Sequence, residues 1–316
     1  MVEYRSFRNT DPPHLVEVWN ESFSSRGIAR LRHSSVLERH VFAKPYFDPQ
    51  GLIVAEEDGK RVGFAHAAFG PNQRETMLSK HQGVICLLAV RPSHQRKGVG
   101  AELLRKAEGY LRERGAQAIN AGLLKPYTPF YFGVFGGSDL PGIPLSEKGA
   151  GAFFEKHEYK PLETTYIFQR FLDKPINVAD GRFANLRRRF DVRILPRIPL
   201  GTWWQECSLG LAEPVEFRLE EKLNGKVAGR ATAWEMDTFS WTWNVPAVGI
   251  LNIQIRDDLR RQGLGKFLLT QILRYLQDQY FGVTEIHTPE TEGSLIGLYR
   301  SVGFEQVDSG RLYKKS

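Results

Sequence analysis

The chain contains two largely apolar stretches, residues 83–90 and residues 248–255. A run of this kind is typical of a strand that is buried on both faces of a sheet. After each run comes a short polar segment with two glycines, and then a stretch in which an apolar residue recurs at every fourth position. This spacing predicts a helix with one buried face. The two apolar rows are Val99, Leu103, Ala107 and Leu111, and then Leu264, Leu268, Ile272 and Leu276.

A β-hairpin is predicted ahead of each apolar run, because Asp58-Gly59 and Asn224-Gly225 each separate two strand-like segments. Asp-Gly and Asn-Gly favour the left-handed backbone that two-residue hairpin turns require. Each half of the chain therefore predicts the same order of elements: a hairpin, a buried strand, a glycine loop, a helix and a further strand. The further strands are expected at residues 117–123 and 283–287.

The two copies are related by a fixed offset. Gly98 and Gly263 lie 165 residues apart, and so do Gly100 and Gly265. A repeat of this length is a duplicated domain rather than a solenoid. A chain of 316 residues is long enough for two domains, each with its own core.

The expected fold class is α/β, with a mixed sheet in each of two tandem domains. The repeated pattern is interrupted after residue 172, where Pro175 and Gly181 favour a connecting segment. We therefore expect domains over residues 1–172 and 173–316.

Charge and composition narrow the function. The net charge of +7 suits an anionic ligand, but the basic residues are scattered, and Arg187-Arg188-Arg189 is best interpreted as a solvated surface. We expect no nucleic-acid partner. No apolar run approaches the roughly 20 residues of a membrane span, so we expect no membrane partner and a cytoplasmic location. Cys86 and Cys207 are predicted core residues, and no spacing suggests a metal site.

The glycine loops suggest a site for phosphate. A strand that enters a glycine loop and then a helix presents several backbone N–H groups, and the helix dipole adds positive potential there. The P-loop spacing is absent, and so are the third glycine and the acidic residue of the dinucleotide fingerprint. The remaining interpretation is a pyrophosphate cradle of a different spacing with a basic rim.

The segments Gln95-x-x-Gly98-x-Gly100 and Arg260-x-x-Gly263-x-Gly265 resemble the acyl-CoA motif of the GNAT superfamily of N-acyltransferases. The segment from Leu298 to Phe304, which contains Tyr299, resembles the closing helix-to-strand signature of that family. The resemblance covers most of the chain. It implies an enzyme that transfers the acetyl group of acetyl-CoA to a primary amine of a small molecule or a peptide, without a metal.

The resemblance also implies roles for residues of this chain. The loops would bind the pyrophosphate of CoA, the pantetheine arm would run along the strand before each loop, and Tyr299 would protonate the leaving thiolate as the catalytic acid. The implied binding residues are Leu88, Val90, Gln95, Arg96, Lys97, Gly98, Val99 and Gly100 in the first half, and Ile253, Ile255, Arg260, Arg261, Gln262, Gly263, Leu264 and Gly265 in the second.

The halves differ at the tyrosine, since the first half has Phe154 there and a phenyl ring cannot donate a proton. We therefore expect catalysis in the second half, with a first half that binds CoA for structural or regulatory reasons. Tyr127 and Tyr131 are alternative acids in the aromatic segment 125–138, which either covers an acceptor site or is a packed surface loop.

Several interpretations stay open at this point. His287, Glu290 and Glu292 follow the last strand and are candidate bases, or else they belong to a solvated loop. The tryptophans of the second half suit a core better than an acceptor pocket. A CoA-sensing regulatory protein is the alternative function. Transfer from aminoacyl-tRNA is disfavoured because both glycine loops are present.

Overall fold

The secondary structure follows the predicted repeat. The computed structural model describes residues 1–316 apart from residue 210. The strands are β1 (Glu3–Ser6), β2 (Leu52–Glu57), β3 (Lys60–Pro71), β4 (Leu78–Val90), β5 (Ala118–Ala121), β6 (Ile143–Pro144), β7 (Lys160–Phe171), β8 (Phe190–Leu195), β9 (Val215–Glu221), β10 (Val227–Glu235), β11 (Ala247–Ile255), β12 (Val283–Pro289) and β13 (Glu305–Lys315). The α-helices are α1 (Pro12–Ser22), α2 (Ser35–Leu37), α3 (Val99–Glu113), α4 (Ala150–Lys156), α5 (Phe183–Arg189), α6 (Trp203–Leu209), α7 (Asp237–Trp243), α8 (Leu264–Asp278) and α9 (Gly293–Ser301).

The strands form one continuous mixed sheet in the order β1-β2-β3-β4-β5-β13-β7-β12-β11-β10-β9-β8, with β6 paired to β13. Two neighbouring pairs, β4 with β5 and β11 with β12, are parallel. The other neighbours are antiparallel. The predicted α/β class with a mixed sheet is confirmed, and both hairpins form at the expected turns.

The two halves exchange their last strands. β13, from the end of the chain, lies between β5 and β7 of the first half. β7, the last strand of the first half, lies between β13 and β12 of the second. No spacing in the sequence indicates this exchange. One continuous sheet therefore contains strands of both halves. The division of the chain into domains at residue 172 stays a prediction.

The helices that follow the glycine loops bury the predicted faces. Val99, Leu103, Ala107 and Leu111 of α3 are buried against the sheet, and so are the corresponding four residues of α8. The buried rows close the core under one face of the sheet in each half. Both helices begin directly after a glycine of the loop motif, so the motif sits at the N-terminus of each.

The aromatic segment 125–138 packs between the two halves. The indole N–H of Trp204 donates to the carbonyl of Pro126, and that of Trp234 donates to the carbonyl of Ser138. Phe130 and Tyr131 are almost fully buried. A packed surface loop is thus the wrong interpretation of this segment, because aromatic side chains of both halves cover it.

Candidate functional site

Each half contains a pair of parallel strands that separate part of the way along. β4 pairs with β5 only as far as Ile85 opposite Ala121, although β4 continues to Val90. β11 pairs with β12 only as far as Ile250 opposite Ile286, although β11 continues to Ile255. Beyond these points the strands splay, and each half has a V-shaped cleft in its sheet.

A β-bulge marks the apex of each cleft. On β4 the register with β3 skips Cys86, and on β11 the register with β10 skips Leu251. The two bulged residues are again 165 positions apart. A bulge leaves one residue outside the hydrogen-bond ladder and bends the strand. In both halves, therefore, the strand carries an unpaired backbone segment where the cleft opens.

The two glycine loops have the same backbone conformation. Gly98 and Gly263 both have φ of +87°, and the residues two positions earlier, Arg96 and Arg261, have φ of 59° and 62°. Glycine adopts this left-handed region without a steric penalty. No side chain caps α3 or α8, and the first N–H groups of a helix have no partner within it. Each loop thus offers free N–H donors at the positive end of a helix dipole.

The first residue of each motif braces its loop. The Gln95 side-chain amide donates to the Val90 carbonyl over 2.9 Å. Arg260 Nε donates to the Ile255 carbonyl over 3.2 Å. These bonds tie the loop to the last residue of the strand. The structure therefore gives these two side chains a partner inside the protein and leaves the backbone N–H groups of the loop and the neighbouring cations for a ligand.

The predicted binding residues divide into three groups. The arginines, Lys97 and Gln262 are exposed on the loops, and the strand residues lie along the clefts. Val99 and Leu264 are buried at the start of their helices, so only their backbone faces the loop. Among the predicted residues of the first half, those that line its cavity are Leu88, Val90, Gln95, Arg96, Gly98 and Gly100.

The first cleft holds a cavity of about 550 Å³. Its lining includes the basic side chains of Arg96, Lys148 and Lys156, which suit an anionic ligand. A Cβ atom placed on Gly98 would meet nothing within 4 Å, so the space beside the loop is open. Ser22 also lines the cavity, and its buried hydroxyl has no hydrogen-bond partner within the described chain. These features fit a phosphate-bearing ligand with polar groups along its arm.

Aromatic residues close this cavity where it meets α1. Phe23 and Phe135 line it and pack edge to face at a centroid distance of 6.4 Å, and Trp19 packs on both. Cys86 at the bulge is fully buried, and burial raises the pKa of its thiol well above the ordinary value. This end of the first cleft is therefore lined mainly by apolar side chains.

The second cleft differs on its outer face. In the first half this face of β4 carries Leu87 and Ala89, which are buried. The corresponding residues of β11 are Asn252 and Gln254, which are exposed. Helix α6 does not cover Asn252 and Gln254. Its Trp204 instead packs on the first half, where the indole N–H donates to the carbonyl of Pro126. The second half thus presents an open, polar approach to its cleft.

Tyr299, a residue of α9, lies on the opposite face of the second half. Its ring is 2% exposed and packs against Phe168 of β7 at a centroid distance of 5.9 Å. Burial, and then the negative charge of Glu292, raise the pKa of its hydroxyl well above the ordinary value, so the group keeps its proton at neutral pH. In the first half Phe154 occupies the corresponding place.

Arg182, which precedes α5, is a residue that the motifs do not indicate. Its guanidinium lies 2.9 Å from the place where a Cβ on Gly263 would stand. Asp180 holds it through two hydrogen bonds of 2.8 and 2.6 Å. The second loop therefore carries an additional cation from the segment that joins the two halves, and only the three-dimensional structure brings it there.

The described residues contain neither a membrane-spanning helix nor a metal-binding cluster. Among the described helices, none combines the length and the apolar composition needed to span a membrane. Across residues 1–209 and 211–316, no group of three His, Cys, Asp or Glu side chains is placed to hold a metal ion.

Two splayed parallel strand pairs, each with a bulge at the apex and a glycine loop at the mouth, define a protein of the acyl-CoA-binding transferase class. The family model described as the Acetyltransferase (GNAT) family matches residues 13–129 and 184–304, which together exceed half of the chain. The chain belongs to the GNAT acetyltransferase family and is a tandem member of it.

Individual relatives agree with this assignment. The mycothiol acetyltransferase of Saccharomonospora viridis is 24% identical over 94% of this chain and 97% of its own length. A tandem GNAT protein from the clavulanic acid biosynthesis pathway has a TM-score of 0.67 at 12% identity, over 100% of this chain and 98% of that one. The glucosamine N-acetyltransferase region of a fungal multi-domain β-N-acetylglucosaminidase has a TM-score of 0.72 at 20% identity; it covers 100% of this chain, which spans 38% of that protein.

Proposed function

We propose that this protein transfers the acetyl group of acetyl-CoA directly to a primary amine of a small molecule or a peptide, and that its second half is the catalytic one. The observation that carries the proposal is the contrast between the two clefts. The first is closed by Phe23 and Phe135, whereas the second is flanked by exposed Asn252 and Gln254. A cytoplasmic location is part of the proposal.

Both loops have the backbone needed to bind the pyrophosphate of acetyl-CoA. The N–H groups at the starts of α3 and α8 would donate to phosphate oxygens, and Arg96, Lys97, Arg260 and Arg261 would supply positive charge. Leu88, Val90, Ile253 and Ile255 lie on the strands that would flank the pantetheine arm. In the first half this binding would be structural, since the apolar side chains of Phe23 and Phe135 at the apex disfavour an amine.

In the second half Tyr299 would serve as the general acid. As the bond between the acetyl carbon and sulfur breaks, the Tyr299 hydroxyl would give its proton to the sulfur. The hydroxyl is protonated over the whole neutral range, as a general acid must be before it transfers its proton.

The outer face of the second half indicates the character of the acceptor. Asn252 and Gln254 share this face with Thr232 and Arg230, which pair with them across β10. The exposed polar side chains of Asn252, Gln254 and Arg230 suit a hydroxyl-rich amine better than an aromatic one. The names of the relatives, mycothiol acetyltransferase and glucosamine N-acetyltransferase, point in the same direction, and we propose an amino sugar or an amino-sugar derivative.

One observation favours the alternative of a CoA-sensing protein. The Arg182 guanidinium already lies beside Gly263, fixed by Asp180. A side chain in that position would impede phosphate if it did not move, and the second site would then bind CoA only after a change in the segment between the halves. The two proposals differ in turnover, not in fold.

The test is calorimetry with acetyl-CoA at low ionic strength, followed by a panel of amines that begins with glucosamine and is read by release of the CoA thiol. We expect binding that weakens as salt rises, and thiol release that depends on the amine. Binding without thiol release for any amine would favour the sensing protein. The absence of binding at micromolar acetyl-CoA would overturn both.

A further inference from the structure

A histidine stands at the apex of the second cleft. His287 follows Ile286, the last residue of β12 that pairs with β11. Ile286 points into the core beneath α8, and successive residues of a strand point to opposite faces. His287 therefore points to the outer face, the one that carries Asn252. Its side chain is only 6% exposed.

One nitrogen of this imidazole is held and the other is free. His287 Nε2 lies 3.0 Å from Glu285 Oε1. A carboxylate oxygen can only accept, so Nε2 carries a proton, and in the neutral imidazole Nδ1 carries the lone pair. Nδ1 is buried and has no hydrogen-bond partner in the described part of the chain. A buried acceptor without a partner has a free-energy cost, which a ligand N–H at the apex would remove.

Glu285 is itself held by the first half of the chain. The backbone N–H of Ser138 donates to Oε1 over 2.6 Å, and the side-chain amide of Gln169 donates to Oε2 over 2.6 Å. Gly137, with φ of +102°, lies so close that a Cβ there would be 1.9 Å from Oε1. Residues of the first half thus fix the carboxylate that orients the histidine of the second.

The first cleft has no such group. The residue 165 positions before His287 is Gly122, which lines the first cavity and whose N–H donates to the carbonyl of Ile85. The histidine therefore distinguishes the two apices, in the same half that has Tyr299 and the open polar face.

We propose that His287 is the general base of the acetyl transfer and that Glu285 is its positioning residue. This inference rests on the proposed function. The amine nitrogen forms a bond to the acetyl carbon and loses its proton to His287 Nδ1, while the bond from that carbon to sulfur breaks and sulfur takes the proton of Tyr299. The proton on His287 then passes to solvent, and Tyr299 regains one from solvent, so the products are the amide and the free CoA thiol.

Few charges surround this histidine. Glu285 lies beside His287 on β12. Arg26, from the loop after α1, lies farther away and donates to the side-chain oxygen of Gln169 on β7 over 3.0 Å. Ile167 of β7 is the antiparallel partner of His287, and β11 brings Leu251; both are apolar. Protonation of His287 would abolish its role as a base, so the rate should fall as the pH is lowered.

The variant His287→Gln tests the base while it keeps a side chain that can donate to Glu285. With acetyl-CoA and glucosamine, or the panel amine that releases thiol fastest, we expect kcat to fall by about 100-fold, within the usual range for a general base. The KM for acetyl-CoA should change by less than about threefold, because the loops are untouched. The acidic limb of the pH profile of kcat/KM should disappear.

Glu285→Gln and Gly137→Ala test the support. Both should lower kcat in the same direction without loss of acetyl-CoA binding, because each disturbs the orientation of His287 and leaves the loops intact. The matched control is His14→Gln, on the exposed surface of α1, for which we expect wild-type kinetics. Thermal unfolding confirms that each variant is folded.

The outcomes separate the two proposals. A wild-type enzyme that turns over, together with a His287→Gln variant of unchanged kcat and pH profile, would overturn the role of His287 alone. A wild-type protein that binds acetyl-CoA and acetylates no amine would overturn the proposed function, and the role of His287 with it. A kcat loss in which the acidic limb is retained would assign His287 to packing.

Discussion

Phe154 of α4 stacks on Tyr313 of β13, with ring centroids 6.2 Å apart and planes inclined by 25°. Tyr299 of α9 contacts Phe168 of β7 edge to face, with ring centroids 5.9 Å apart and planes inclined by 64°. Residues 154 and 299 differ by 145 positions, and so do residues 168 and 313. In each pair the helix belongs to one half and the strand to the other. The strand exchange thus reaches into the core beneath both candidate sites.

Tyr313→Ala should destabilise the first half, although residue 313 lies near the end of the chain. The ring is 1% exposed, and truncation of a buried aromatic side chain typically costs about 3–5 kcal/mol. We expect a lower free energy of unfolding and faster hydrogen exchange in β5 and α4. Tyr280→Ala, at an 89% exposed tyrosine, is the control. Faster exchange confined to β12 and α9 would contradict the exchanged core.

Tyr299→Phe should lower kcat by at least about tenfold and leave acetyl-CoA affinity unchanged, because the ring and its packing are kept while the proton is lost. Stopped-flow detection of the CoA thiol measures the first effect and calorimetry the second. Tyr280→Phe serves as the matched control. An unchanged kcat would show that Tyr299 only packs α9 against Phe168.

Gly98→Val and Gly263→Val should have different effects. Both glycines have φ of +87°, where a β-branched residue is strained, and both side chains would stand beside the phosphate position. We expect Gly263→Val to abolish turnover, and Gly98→Val to remove one equivalent of bound acetyl-CoA with turnover partly kept. Calorimetric stoichiometry and thiol release measure the two effects.

Gly109→Val is the control for the glycine variants, because Gly109 lies within α3 and a Cβ there meets nothing within 4 Å. It should leave stoichiometry and turnover unchanged. The reverse pattern, with turnover lost in Gly98→Val and retained in Gly263→Val, would move catalysis to the first half.

His66 should make the protein sensitive to acid. It is fully buried beside the Tyr131 hydroxyl, and burial lowers its pKa from 6.5 to about 3. The unfolded chain therefore binds one proton more between these two values, and stability falls as the pH falls through that window, by up to about 1.4 kcal/mol per pH unit.

His66→Asn should reduce the slope of unfolding free energy against pH by about one proton between pH values of roughly 6 and 4. Urea unfolding at several pH values measures the slope. His14→Asn, at an exposed histidine of α1, should leave the slope as it is. An equal slope for wild type and His66→Asn would mean that His66 is protonated in the folded state.

Local features were predictable from the sequence, and the relation between the halves was not. The helices that begin at Val99 and Leu264, and the turns at Gly59 and Gly225, follow from periodicity and backbone preference. The exchange of β7 and β13 is different, because an alternating strand does not encode which neighbour it pairs with. Tertiary contacts alone make that choice, as in the pairing of Phe168 with Tyr299.

The same limit applies to the candidate site. The loop residues were found because their spacing is local. The pairing of Arg182 with the second loop, and the support of Glu285 by Ser138 and Gln169, join residues far apart in the chain. The sequence does contain one local sign of the open cleft. Leu87 and Ala89 of the first half correspond to Asn252 and Gln254 of the second, which is a change from apolar to polar residues.

The exchanged strands couple substitutions in one half of the chain to residues of the other half. A substitution at Phe154 changes the packing of residue 313, and a substitution at Tyr299 changes the packing of residue 168. Compensating changes are therefore expected in the opposite half. We therefore expect positions 154 and 313, and positions 168 and 299, to covary among descendants of the duplicated gene. On this expectation the two halves evolve as one unit.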